Sequence, residues 1–284
     1  MPIRNPDSAA GDWYIDTACI DCSASRNIAP DLIAERNGKC VFARQPATPD
    51  ELTAAWRARL LCPTASVRTE SAQPRPRGLF PQELAQGVYR CGYNARASWG
   101  AHSYFAARPE GNLLVDSPRH TVELRRFFER AGGIAHILLT HQDDVADADK
   151  YAAEFGARVW IHEADAHAAP YANERIRGDV PVAIRDRLSA IPVPGHTRGS
   201  VAYLLEDSFL FTGDSLAWSF DSADLTAFRD ACWYSWNVLA GSLESLLALR
   251  FEWVLAGHGA SMRLPAEEMR ERLRALVLRM RQNP

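Results

Sequence analysis

Four short segments each set a metal-capable side chain just past an apolar run. They are "LLTHQDD" (His141, Asp143, Asp144), "VPGHTRGS" (His196), "LFTGDS" (Asp214) and "VLAGHG" (His258). Imidazole nitrogen and carboxylate oxygen together suit zinc, iron or manganese. A divalent ion so bound lowers the pKa of coordinated water from 15.7 to roughly 7, which gives hydroxide at neutral pH. The aspartates also have a plainer explanation. Asp143, Asp144 and Asp147 fall where a helix begins, and carboxylates there cap the helix and meet its dipole. Ligation and capping fit Asp143 equally, whereas Asp144 and Asp147 are read as caps or solvated charges. Of the other histidines, His120, His136, His162 and His167 read as surface or structural, and His102 is the one placed to line a pocket.

Such ligands need a rigid frame, and the chain alternates strand and helix signals around them. "GVYRCGY", "SYFAAR" and "NLLVDS" read as early strands. In 121–133, Leu124, Phe127, Phe128 and Ala131 recur at i, i+3, i+4 and i+7, an amphipathic helix stopped by Gly132-Gly133. "AHILLT" is a buried strand and 144–156 a helix closed by Gly156, with Val145, Ala148, Ala152 and Phe155 as its apolar stripe. "VAYLLE" and "SFLFTGD" are strands joined by a tight turn at Asp207. A helix over 239–250, the strand "EWVLAG" and a terminal helix from Pro265 follow. Each ligand segment thus lies in a loop at a strand end, where a sheet can aim side chains at one point. The aromatic segment 216–237 either roofs that point or packs on the sheet, and packing is the expected role.

The 284 residues carry a net charge of −3, with 47% hydrophobic and 24% charged residues. No Lys/Arg run supplies the phosphate neutralisation that nucleic-acid binding requires. No apolar run reaches the roughly 18–20 residues that span a bilayer. The first residues, "MPIRNPDSAAGDW", lack a signal-peptide core, so a cytoplasmic location is expected. Six cysteines in that setting read as thiols or metal ligands rather than disulfides. The proline-rich stretch 73–81 separates a small unit, 1–72, from a larger one, 82–284.

The order T-H, G-H-T-x-G-S, T-G-D, G-H-G over residues 82–284 resembles the metallo-β-lactamase fold superfamily, an α+β class with a four-layer αββα sandwich. In that family the first motif reads H-x-H-x-D-H and serves two adjacent metal ions. Here His141 matches its first histidine, while Asp143, Val145 and Ala146 stand at its other ligand positions. The resemblance implies a first metal held by His141, His196 and Asp214, with Asp143 as a fourth ligand. The second position keeps only His258 and a share of Asp214, which implies one metal ion rather than a two-metal clamp. The implied activity is hydrolysis of a small ester or thioester by metal-bound hydroxide, with Asp214 and His258 as catalytic residues. Two alternatives stand beside it. Two histidines and one carboxylate also form the facial triad of non-haem iron(II) oxygenases, and persulfide dioxygenases are similar in fold. The chain is otherwise a non-catalytic metal-binding descendant. Glyoxalase II enzymes, also similar, are set aside because only 25 residues follow Gly259.

"DTACIDCSASRNIAP" and "LLCPTAS" resemble a small ferredoxin-type domain with a βαββαβ fold, over about residues 11–70. Iron–sulfur proteins of this kind use C-x2-C-x2-C with a distant C-P. Cys19, Cys22 and Cys62-Pro63 fit, but Ser25 stands at the third cysteine, which puts a cluster in doubt. An empty relic kept as a structural or docking element is the expected reading, beside a cluster on three thiolates completed by serine or water and a different metal on the same thiolates. Cys40 reads as a buried strand residue. The implied partners are a small-molecule substrate and a redox partner feeding electrons through this unit.

Overall fold

The computed structural model describes residues 3–283. The chain begins with β1 (Trp13–Ile15), α1 (Ala24–Ile28), β2 (Ile33–Arg36), β3 (Lys39–Phe42), α2 (Pro49–Leu61) and β4 (Val67–Thr69), the expected βαββαβ order. β1 pairs antiparallel with β4, and β2 with β3. Trp13, Ile15, Phe42, Ala55 and Ala58 are buried together in the core of this part. α2 opens with a full capping box: the Thr48 hydroxyl accepts from the Glu51 amide, and the Glu51 carboxylate accepts from the Thr48 amide.

Two larger sheets follow. The first contains β5 (Gln82–Ala85), β6 (Val88–Arg90), β7 (Tyr104–Ala106), β8 (Leu113–Val115), β9 (His136–Leu138), β10 (Arg158–His162) and β11 (Glu174–Ile176), side by side in chain order. The second contains β12 (Val182–Arg185), β13 (Leu188–Pro192), β14 (Val201–Leu205), β15 (Phe209–Gly213), β18 (Trp253–Ala256) and β19 (Met262–Arg263). A hairpin of β16 (Ala217–Ser219) and β17 (Asp224–Thr226) lies between β15 and β18 in sequence. The turn between β14 and β15 places both Glu206 and Asp207 at left-handed φ, 60° and 48°, as a tight hairpin demands.

Alternation along the strands separates three apolar layers. Leu113, Val115, Tyr203, Phe209 and Phe211 meet between the sheets. Leu114, Phe105 and Ile137 face outward onto α3 (Val122–Arg130) and α4 (Ala148–Phe155). Leu204, Leu210 and Val254 face the other way onto α5 (Trp236–Ser245) and α6 (Ala266–Gln282). Period-two side-chain placement thus builds helix, sheet, sheet, helix. In α6, Met269, Leu273, Leu276, Val277 and Met280 are the buried stripe, as their spacing predicts. Each such side chain contributes about 1.5–3 kcal/mol by leaving water.

Two helices differ from their sequence signals. The expected helix over 144–156 is a 3₁₀ turn, Gln142–Asp144, followed by α4 from Ala148. The expected helix over 239–250 begins at Trp236, where the Ser235 hydroxyl accepts from the Val238 amide, and ends in a 3₁₀ turn, Leu246–Ala248. A serine cap outweighs the weak apolar periodicity there.

Candidate metal centre

β13 and β15 flank the antiparallel β14, and β15 runs parallel to β18, so three strands end on one edge of the second sheet. His196, Asp214 and His258 follow those three ends. His141 follows β9 of the other sheet. It is held to the same edge because the Val201 amide donates to the Thr140 carbonyl at 2.8 Å and the Tyr203 hydroxyl to the Leu139 carbonyl at 2.9 Å.

His141 Nε2 lies 3.6 Å from Asp214 Oδ2 and 3.8 Å from Asp143 Oδ2. His196 Nε2 lies 3.6 Å and 3.5 Å from the same two oxygens. Bonds of about 2.1 Å to a tetrahedral ion would put its ligand atoms about 3.4 Å apart. Both Nε2 atoms are buried and have no hydrogen-bond partner in the protein. Leaving two such nitrogens unpaired costs stability unless a ligand takes their lone pairs. The proton count agrees. The Thr140 hydroxyl gives its only proton to Asp116 (2.9 Å to Oδ2), so its oxygen accepts from His141 Nδ1–H at 2.9 Å. That leaves the His141 Nε2 lone pair free, the role of an outer-shell partner at a metal site. Burial pushes the His141 imidazole down to about 4, which keeps it neutral.

A second donor set, Asp144, Asp214 and His258, shares Asp214 with the first. Asp144 is 1% exposed and neither of its carboxylate oxygens has a hydrogen-bond partner. It is therefore neither a cap nor a solvated charge, and this corrects the sequence reading. The 3₁₀ turn and the positive φ of Ala146 (33°) rotate the segment so that Asp144 points inward, while Val145 packs against the outer core. The second position thus has a third candidate donor that the aligned motif did not show. Gly257 makes room for it, since a Cβ there would lie 2.8 Å from both Asp144 Oδ2 and Asp214 Oδ1. Burial, then the neighbouring carboxylates of Asp214, Asp116 and Asp143, push the Asp144 carboxyl far above its usual range. Burial would raise Asp214 too, but His258, His141 and His196 outweigh it and hold Asp214 far below. His258 Nδ1 contacts both Asp214 oxygens at 2.9 Å, and that carboxylate holds the imidazole above its ordinary pKa despite burial.

Asp165 is a positioning residue that no sequence signal marked. Its buried carboxylate accepts from the Gln142 amide (3.0 Å), the Thr197 hydroxyl (2.6 Å) and the Gly199 amide (3.0 Å). It therefore locks the His141 and His196 loops together, and the T-x-G-S part of the motif is the grip on it. Asp147, outside both donor sets, accepts from the His120 amide and Lys150. His102 is buried behind the centre, where its amide donates to the Gly257 carbonyl at 2.8 Å. It is not among the residues lining the cavity.

The centre opens into a cavity of about 1100 Å³. Trp99, Phe228 and Trp233 form apolar walls, and Asp21, Cys22 and Ser23 of the amino-terminal part close another side. The aromatic segment therefore divides its roles: Trp218 is 6% exposed in the core, while Trp233 is 66% exposed at the cavity. Cys19 and Cys62 are buried and Cys22 half-buried, all as free thiols. The Ser25 hydroxyl donates to the Ala58 carbonyl at 3.2 Å.

Residues 90–278 match the metallo-β-lactamase superfamily, and residues 15–69 match the 4Fe-4S single cluster domain of ferredoxin I. The chain belongs to the metallo-β-lactamase superfamily. A hydroxyacylglutathione hydrolase of Cereibacter sphaeroides is 41% identical over 107 residues, 36% of this chain and 42% of that protein. The chain thus spans under half the length of the hydroxyacylglutathione hydrolases it resembles. An uncharacterized protein of Bacillus subtilis, YobT, is 30% identical over 176 residues, 49% of this chain and 72% of that one. A metallo-β-lactamase structure from Erythrobacter litoralis superposes with a TM-score of 0.54 at 16% identity, over 70% of this chain and 95% of that one. One from Hirschia baltica does so at 0.53 and 15%, over 69% and 96%. At such identities the structures establish the fold alone. Among the described residues no helix is long and apolar enough to cross a membrane.

Proposed function

We propose that the protein is a metal-dependent hydrolase of a small ester or thioester. The reading rests on one observation: two buried, unpaired Nε2 atoms, on His141 and His196, face the oxygens of Asp214 and Asp143 at 3.5–3.8 Å. His141, His196 and Asp214 would hold one divalent ion, with the more exposed Asp143 carboxylate beside the two imidazoles. Asp144, Asp214 and His258 form a carboxylate-rich second position that suits a harder ion, such as manganese, and holds it less tightly because His258 Nδ1 is already tied to Asp214. A metal here supplies the acidity that makes water a nucleophile at neutral pH. The chain's own residues do the rest. Thr140 and Asp116 fix the His141 ring, and Asp165 fixes the loop that carries His196. His258, between Asp214 and the Trp99 carbonyl, stands on the cavity wall to donate to oxygen as negative charge develops. Trp99, Phe228 and Trp233 take the apolar part of the substrate and exclude water.

The test joins elemental analysis of purified protein with a panel of thioesters, esters and lactones. Hydrolysis that disappears with chelator and returns with one tightly bound ion per chain is the expected result. Metal-loaded protein inert toward the whole panel would overturn it. The set of two imidazoles and one carboxylate also favours a second reading, a mononuclear iron oxygenase acting on a persulfide. Dioxygen uptake by the iron-loaded protein with glutathione persulfide separates the two.

A further inference from the structure

A second cavity, of about 420 Å³, adjoins the one above the metal centre, and Ser23, Phe228 and Gly259 line both. The Phe228 ring stands at the divide. Gly259, at a φ of 87°, gives it room, since a Cβ there would lie 3.0 Å from Phe228 Cζ. One wall of the second cavity comes from the amino-terminal part, through Arg26, Asn27 and Ala34. The other comes from the β16–β17 hairpin, through Ser219, Phe220 and Thr226. Among the described residues that line it, Arg26 is the one cation. Its side chain is 26% exposed, and Nη1 is buried with no hydrogen-bond partner. The Asp21 carboxylate faces that nitrogen from 3.9 Å, too far for a hydrogen bond. A charged donor left in this state costs stability until a ligand meets it. Glu35 and Asp221 also line the cavity, but both are exposed, and Glu35 Oε1 already accepts from the Gly38 amide at 2.6 Å. Water screens such rim charges far more than it screens a half-buried guanidinium.

We infer that Arg26 seats a carboxylate at the far end of the substrate, whose tail runs from the metal centre past Phe228 into the second cavity. The inference rests on the hydrolase reading and narrows it to esters or thioesters with a carboxylate-bearing tail. The guanidinium presents a planar fork of N–H donors, which a carboxylate matches with two parallel hydrogen bonds. A phosphate dianion fits less well, because one cation stands against the carboxylates of Asp21, Glu35 and Asp221 along the path. Between the two polar ends the walls include Phe228 and Phe220, which suit an alkyl stretch. The amino-terminal part thereby selects the substrate as well as closing the cavity.

The experiment measures binding to the zinc-loaded full chain of ω-mercaptoalkanoic acids of graded length, each paired with its carboxamide. A thiolate ligates zinc in both members of a pair, so their affinity ratio isolates the tail. At the best length the acid should bind about 10–100-fold tighter than the amide, the range of a hydrogen bond to a charged group. Arg26→Gln should bring the ratio close to one, and Arg26→Lys should keep part of it. Ser219→Asp, on the facing wall, should lower the ratio without touching α1, which keeps the test open if Arg26→Gln does not fold. A wild type that binds both series equally, or neither, overturns the subsite. So does an unchanged ratio in an Arg26→Gln protein whose circular dichroism matches wild type. Thioester hydrolysis is assayed alongside. An Arg26-dependent ratio without hydrolysis keeps the subsite and removes the hydrolase, and hydrolysis without any acid preference does the reverse.

Discussion

The histidine centre and the cysteine loop are both motifs that have lost ligands, and the fold treats the replaced positions differently. At the histidine centre the neighbours of the lost ligands stay unsatisfied: the Nε2 atoms of His141 and His196 and both Asp144 oxygens are buried without partners. At the cysteine loop the replacement is satisfied locally, with the Ser25 hydroxyl bonded to Ala58. A buried polar atom left unpaired is costly, so unpaired donors mark where a ligand is still expected. A paired one marks a position that has been taken over by the fold.

His196→Ala tests this contrast most severely. Removing one of two orphaned imidazoles should lower metal affinity at the first position by at least about 100-fold, read by competition with a chromophoric chelator. Unchanged affinity would mean that the centre is not where the ion sits. Thr140→Val breaks the Asp116–Thr140–His141 chain without touching the cavity, and should cost about 10–100-fold in the same assay. Asp144→Ala should act with opposite signs in two assays. The metal-free protein should gain about 1–3 kcal/mol in urea unfolding, because both unpaired carboxyl oxygens are removed, while binding of a second ion weakens. A metal-free protein destabilised by this change would show that Asp144 has a structural partner.

The smallest effect belongs to the cysteine region, at the start of the helix that accepts from Ser25. The Arg44 guanidinium, with the Ala47 and Thr48 amides, holds the Glu51 carboxyl down to about 2. Its contribution to stability is therefore complete above the ordinary carboxyl range and is lost as pH falls toward 2. Glu51→Gln should flatten that part of the stability profile and leave the metal centre's affinity unchanged. A profile identical to wild type would show that the capping box is not titrating.

The sequence made the strand ends legible because G-H-T-x-G-S and T-G-D combine ligands with glycines at points of close approach. The helix stripes, above all that of α6, were legible from their spacing for the same reason that they are buried. Asp144 was not legible, because its direction depends on a 3₁₀ turn that one-dimensional spacing cannot distinguish from an α-helix. Asp165 was not legible either: it works across 32 residues from Thr197, and nothing local to it suggests an anchor. The wall made by residues 21–23 depends on how two distant stretches of chain meet, which periodicity does not encode.

That wall has a consequence for how the protein can be taken apart. The Cys22 sulfur rests on Gly100, where a Cβ would approach it to 2.7 Å, and the carbonyl of the adjacent Trp99 stands 3.4 Å from His258 Nε2. A fragment trimmed to residues 82–284 would keep His141, His196, Asp214 and His258 but forfeit one side of the cavity. Under the proposed hydrolysis it would work as an open dish, and its kinetics would not be those of the whole chain.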